Sequence, residues 1–128
     1  MGHSLKSVLS RRVKSFGYAF SGWWYVIRTQ PHMWVHLLAG LSVAALAWWL
    51  ELAVHEWAIL VLVILIVWIT EMINTAIEAI VDMVMPDHHP LAEIAKDVAA
   101  AAVLSAAGGS VIIGLLILGP PLWQRFFG

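Results

Sequence analysis

Residues 71–82 read "EMINTAIEAIVD" and place Glu71, Asn74, Thr75, Glu78 and Asp82 at spacings of one, three and four. At 100° per residue these side chains fall within about 100° of one another, on one face of a helix. Glu71 and Glu78 stand two turns apart, roughly 10 Å at the α-helical rise, too far to share a proton and suited to different work. One carboxylate can hold a hard cation such as Mg²⁺ through oxygen while the other stays free as a base. Downstream, Lys96 offers a positive charge for a phosphate, and Asn74 and Asp97 offer groups that orient water, metal or phosphate oxygens. The plain structural reading is a set of polar contacts that fixes helix assembly. A carboxylate at the bilayer centre, however, costs at least roughly 2.5 to 3.5 kcal/mol, and ionisable residues inside a membrane segment point to function by default.

The elements that must carry this stripe are membrane helices. The chain is 62% hydrophobic and 12% charged, with mean hydropathy +0.87, whereas soluble domains carry about 25% charge. Met33 to Leu50 and Val98 to Leu122 hold no Asp, Glu, Lys or Arg. The run from Trp57 is long enough to span only if the acidic stretch belongs to its helix. Three spans are expected, over 33–50, 56–85 and 91–120, in one membrane domain covering 1–128. Before them, Leu5, Val8, Leu9, Val13, Phe16, Phe20, Trp23 and Ile27 recur at helical spacing. That pattern predicts an amphipathic helix over about 5–29, too often interrupted by polar residues to span and suited to a membrane surface.

Lys6, Arg11, Arg12, Lys14 and Arg28 precede the first span, and the connector around Glu51 and Glu56 has no Lys or Arg. The positive-inside rule therefore predicts a cytoplasmic N-terminus and a cytoplasmic second connector, "MPDHHPLAE". Glu78, Asp82, that connector and Lys96 then face the nucleotide pool, with Glu71 deeper, within reach of a lipid headgroup. The stretch "VAAAAVLSAAGGSVIIG" suits close backbone approach between helices in lipid. A zero cysteine count excludes disulfides and thiol chemistry.

"EMINTAIEAIVD", followed by "HPLAEIAKDVAAAAV" and preceded by "FGYAFSGWW", resembles the prokaryotic diacylglycerol kinase family, and most its undecaprenol kinase branch. No Walker loop or protein-kinase signature accompanies it. The resemblance implies an all-α, homotrimeric integral membrane enzyme of the bacterial plasma membrane, with a surface helix and three spans per subunit. It implies transfer of the γ-phosphoryl group of MgATP to the hydroxyl of undecaprenol, with diacylglycerol as the alternative acceptor and no nucleic-acid partner. On matching positions, Glu71 is the general base, Glu78 a Mg²⁺ ligand, and Asn74, Lys96 and Asp97 serve the phosphates and the metal. Asp87, His88 and His89 match a loop that meets the nucleotide, and Arg11 and Tyr18 match positions near ATP. Gly17 and Gly22 would let the first helix lie close to its neighbours.

One position departs from the family pattern. Gln30 stands where a second acidic metal ligand is expected, and its amide oxygen can ligate Mg²⁺ without bringing charge. His32 and His36, four apart, can be read as a metal pair, but no third ligand has zinc-like spacing and the better reading is interfacial or helix contact. A different class, a small transporter or proton relay using the same carboxylates, needs a polar path through the bilayer. Trp57 to Val67 offers none.

Overall fold

A computed structural model describes the backbone of residues 5–128 and the side chains from Arg11 onward, so the stripe positions Leu5, Val8 and Leu9 lie outside the described side chains. The described residues form four helices: α1 (Leu5–Thr29), α2 (Pro31–Trp49), α3 (Val54–Val84) and α4 (Pro90–Phe127). Three of them, α2, α3 and α4, are long and apolar enough to cross a membrane.

Each break has a local cause. Gln30 is extended, at φ −107° and ψ 104°, because the ring of Pro31 crowds the backbone before it and excludes the helical region. At the far end of α2, the Leu52 N–H donates to the Ala47 carbonyl at 3.2 Å and the Glu51 N–H to that of Trp48 at 3.1 Å. This is a Schellman turn with Glu51 at the left-handed position, φ 55°, where glycine is usual. The Glu56 carboxylate accepts from the Ala53 N–H at 2.8 Å and so opens α3. Beyond α3, His89 caps α4: its Nδ1 accepts from the Leu91 N–H at 3.2 Å, and Pro90 takes the first helical position.

The sequence reading ends the third span at residue 120, but α4 continues through Pro120 and Pro121 to Phe127. Those prolines lack the N–H groups that Leu116 and Ile117 would otherwise bond, a local loss for the helix. Contacts with α2 offset it. Phe126 packs on Trp49 with ring centroids 6.2 Å apart, and the Arg125 guanidinium lies 5.0 Å from the centroid of the same indole.

The closest pairing is α3 with α4, where the Ser110 hydroxyl donates to the Val63 carbonyl at 3.3 Å. Ala47, Leu60 and Leu118 form a buried cluster, with Leu52, Trp57 and Leu122 around it. α2 crosses α3 at Gly40, where a Cβ would stand 3.3 Å from Ile64 Cγ2. α1 touches the bundle late in its length: Val26 is buried and Trp23 meets Trp68 edge-on at 5.7 Å. Residues 11–20 are exposed throughout. Gly17 and Gly22 have nothing within 4 Å of where a Cβ would be, so they do not serve the close approach expected of them within this chain. Large apolar side chains such as Leu62, Leu104, Leu115 and Leu116 remain exposed, a surface that lipid or neighbouring helices cover in a membrane.

Candidate active site

α3 carries the polar stripe, and the packing around it divides the stripe in two. Glu71 is 3% exposed, Thr75 4% and Asn74 8%, whereas Glu78 is half-buried and Asp82 exposed. The helix holds its own polar groups first. The Thr75 hydroxyl donates to the Glu71 carbonyl at 2.9 Å, and Asn74 Nδ2 donates to Glu78 Oε1 at 3.1 Å. That bond turns the Asn74 amide oxygen away from Glu78, and this Oδ1 is buried with no donor. A buried unpaired carbonyl oxygen is costly unless something completes it.

Amide and carboxylate oxygens are donors that suit Mg²⁺, and Asn74 Oδ1 and Glu78 could share a cation once the Nδ2–Oε1 bond gives way. Among the described residues no three His, Asp or Glu side chains converge as metal ligands. A cation here would therefore take much of its shell from water and phosphate, as Mg²⁺ commonly does. Gln30 is half-buried as the N-cap residue of α2, and its side chain makes no capping bond.

A second feature lies where α3 ends and α4 begins. Asp82, Asp87, His88, His89, Glu93 and Lys96 line one polar groove of about 280 Å³. Within it Lys96 pairs with Asp82, and His88 Nε2 stands 3.8 Å from Glu93 Oε2. The fold thus brings Asp87, His88, His89 and Lys96 together around one groove. Asp97, Arg11 and Tyr18 are exposed and do not line this groove, and Tyr18, 75% exposed, stands free of the bundle.

Sequence reasoning undervalued one residue. His36 on α2 directs Nε2 toward Glu71 Oε2 at 4.0 Å, the side chains being 19% and 4% exposed. The sequence reading preferred interfacial or helix-contact roles for His32 and His36 without naming a partner; His32 is exposed and His36 turns inward. The usable signal was its place inside a span, where an ionisable side chain needs a partner. His36 also lines an apolar groove of about 380 Å³ between α2, α3 and α4, together with Gly40, Val43, Val67 and Trp68.

Fold and site together define a small polytopic membrane protein with a buried carboxylate beside an oxygen-donor pair and a polar groove at the α3–α4 connection. The chain belongs to the prokaryotic diacylglycerol kinase family, which matches it over residues 17–118. It is 43% identical to the undecaprenol kinase of Bacillus subtilis (strain 168) over 117 residues, 91% of this chain and 95% of that protein. It is likewise 43% identical to a diacylglycerol kinase of Synechocystis sp. over 109 residues, 84% of this chain and 62% of that longer protein. With the diacylglycerol kinase of Escherichia coli (strain K12) it shares 31% identity over 117 residues, 91% of this chain and 93% of that one.

Proposed function

We propose that the chain is an integral membrane lipid kinase that transfers the γ-phosphoryl group of MgATP to the hydroxyl of undecaprenol, giving undecaprenyl phosphate. The observation that carries this reading is the division of labour along α3: a deeply buried Glu71 free to act as base, and an Asn74–Glu78 pair with an unsatisfied oxygen one turn away. A transporter reading has no such use for two dissimilar carboxylate environments, and family membership removes its remaining support.

The lipid hydroxyl gives its proton to Glu71 as its oxygen bonds to the γ-phosphorus and the bond from that phosphorus to the ADP oxygen breaks. Lys96 offsets charge on the phosphate oxygens, and Asp87, His88 and His89 border the nucleotide, with Arg11 and Tyr18 reaching it from α1 of a neighbouring copy. Asp97 and Asn74 orient the phosphates and the metal shell. Glu78 and Asn74, with Gln30, would hold the Mg²⁺, which supplies positive charge to the transferring group. Catalysis of this kind is mostly positioning and charge stabilisation.

In the membrane, α1 would lie as an amphipathic helix on the cytoplasmic surface, its basic residues in the headgroup region. The α3–α4 connector would face the same side by the positive-inside rule, in a bacterial plasma membrane. Assembly would be homotrimeric: Gly108 and Gly109 have nothing within 4 Å of where a Cβ would be, so small positions on α4 remain open to a neighbouring helix.

Diacylglycerol as acceptor is the second reading, favoured by the 43% identity to the Synechocystis enzyme. ATP consumption by purified protein in mixed micelles, with undecaprenol, with diacylglycerol and without lipid, separates these. The expected result is Mg²⁺-dependent turnover that rises most with undecaprenol. Faster turnover with diacylglycerol would reverse the order of the two readings, and consumption indifferent to lipid and Mg²⁺ would reject both.

A further inference from the structure

Glu71 is poorly anchored for a buried side chain. Thr75 bonds its backbone carbonyl, not its carboxylate, and the group that approaches the carboxylate is the imidazole of His36, Nε2 to Oε2 at 4.0 Å. We propose that His36 is a positioning residue for the base. It holds Oε2 toward α2, and this leaves Oε1 to receive the proton of the lipid hydroxyl. The inference rests on the reading of Glu71 as general base.

Three observations support it. A glutamate has three side-chain torsions, and one without an anchor spends much of its time turned away from its substrate, so fixing it contributes directly to rate. A separation of 4.0 Å exceeds a hydrogen bond, but such contacts commonly lengthen in the empty enzyme and tighten when substrate arrives. Finally, His36 belongs both to this pair and to the wall of the apolar groove that runs past Gly40 and Trp68. It therefore stands where an apolar chain would meet the base.

The other ionisable groups nearby are occupied or face out. On α3, Glu78 accepts from Asn74 and Asp82 pairs with Lys96 of α4. On α2, His32 is exposed, and on α1 the Arg28 guanidinium lies 5.8 Å from the centroid of Trp24. His36 and Glu71 thus form a pair of their own across α2 and α3.

The test is steady-state kinetics on the full chain in mixed micelles with undecaprenol. His36→Phe, which keeps a planar ring but no nitrogen, should lower kcat by about tenfold or more while KM for MgATP stays within about twofold. His36→Gln, whose amide N–H can take the place of Nε2, should recover most of the loss. In a Glu71→Asp background, where the carboxylate is withdrawn from α2, His36→Phe should cost little more. Thermal unfolding of each variant separates misfolding from lost chemistry. Should the Phe variant not fold, His36→Ala carries the same expectation, with added imidazole restoring turnover. Wild-type kcat in His36→Phe, equal losses in the Phe and Gln variants, or fully multiplicative losses with Glu71→Asp would each overturn the proposal. The base reading is checked apart from it by Glu71→Gln, expected to lower turnover by about 10²-fold or more with MgATP binding retained. Near-normal turnover there would remove the premise, whatever His36 does.

Discussion

Gln30 bears on how the metal is held. If its amide oxygen faces the cation with Glu78, the protein part of the shell carries one negative charge less than a two-carboxylate site, and Mg²⁺ binds weakly until ATP phosphates supply the missing ligands. Gln30→Glu should then lower the Mg²⁺ concentration for half-maximal activity severalfold, and Gln30→Ala should raise it. Glu78→Gln should be far more damaging than either, because it removes the remaining carboxylate. A Mg²⁺ titration at fixed ATP checks this: unchanged midpoints in both Gln30 variants would place the residue outside the metal shell. At this scale the sequence carried the residue types and their shared face, since both follow from helical spacing. It set Glu71 deeper than Glu78 and Asp82 from the topology, but it did not carry how completely each is covered by protein, because that depends on where α2 and α4 pack. Nor did it pair His36 with Glu71, a contact between side chains on separate helices.

Among the elements, α2 makes one especially close approach to α3. Gly40 faces α3 closely: a Cβ would sit 3.3 Å from Ile64 Cγ2, so that this side chain must give slightly, and 3.7 Å from Trp68 Cζ2. Gly40→Leu should therefore push α2 off α3 and lower stability by about 1 to 3 kcal/mol. Because Trp68 also packs in a T-shaped contact with Trp23, the same change should loosen α1. Thermal unfolding in micelles reads the first effect, and limited proteolysis within α1 reads the second. Stability equal to wild type would mean that α2 tolerates displacement and that its crossing is not set at this residue. The break at Gln30 and the proline-flanked connector were legible from sequence, since proline acts on its nearest neighbours. The passage of α4 beyond Pro121 was not, because its support comes from Trp49 on a distant segment.

For the whole molecule, one chain leaves α1 exposed over residues 11–20 and sets Arg11 and Tyr18 outside the polar groove. In the homotrimer proposed above, a neighbouring copy that presents α1 to that groove would complete the proposed nucleotide site. Mixing inactive Glu71→Gln with inactive Glu78→Gln protein, then reassembling, should restore a substantial fraction of activity if elements of one site come from different chains. No recovery would leave each site within one chain. The distribution of tight contact within the protomer has a mechanical consequence. The buried cluster of Ala47, Leu60 and Leu118 lies at the end of the bundle away from the chemistry, and Glu78 stands about 27 Å along α3 from Leu60 at 1.5 Å per residue. Contact continues along α3, where Val67, Glu71, Asn74 and Thr75 are also buried, so this cluster is one grip among several, placed at the far end of the arm. A rotation of about 2° at the grip carries Glu78 sideways by about 1 Å over that arm, and a displacement of that size can cost a reaction about 10²-fold. On the proposed kinase reading, packing around Ala47, Leu60 and Leu118 therefore helps to set how precisely Glu78 is placed for phosphoryl transfer.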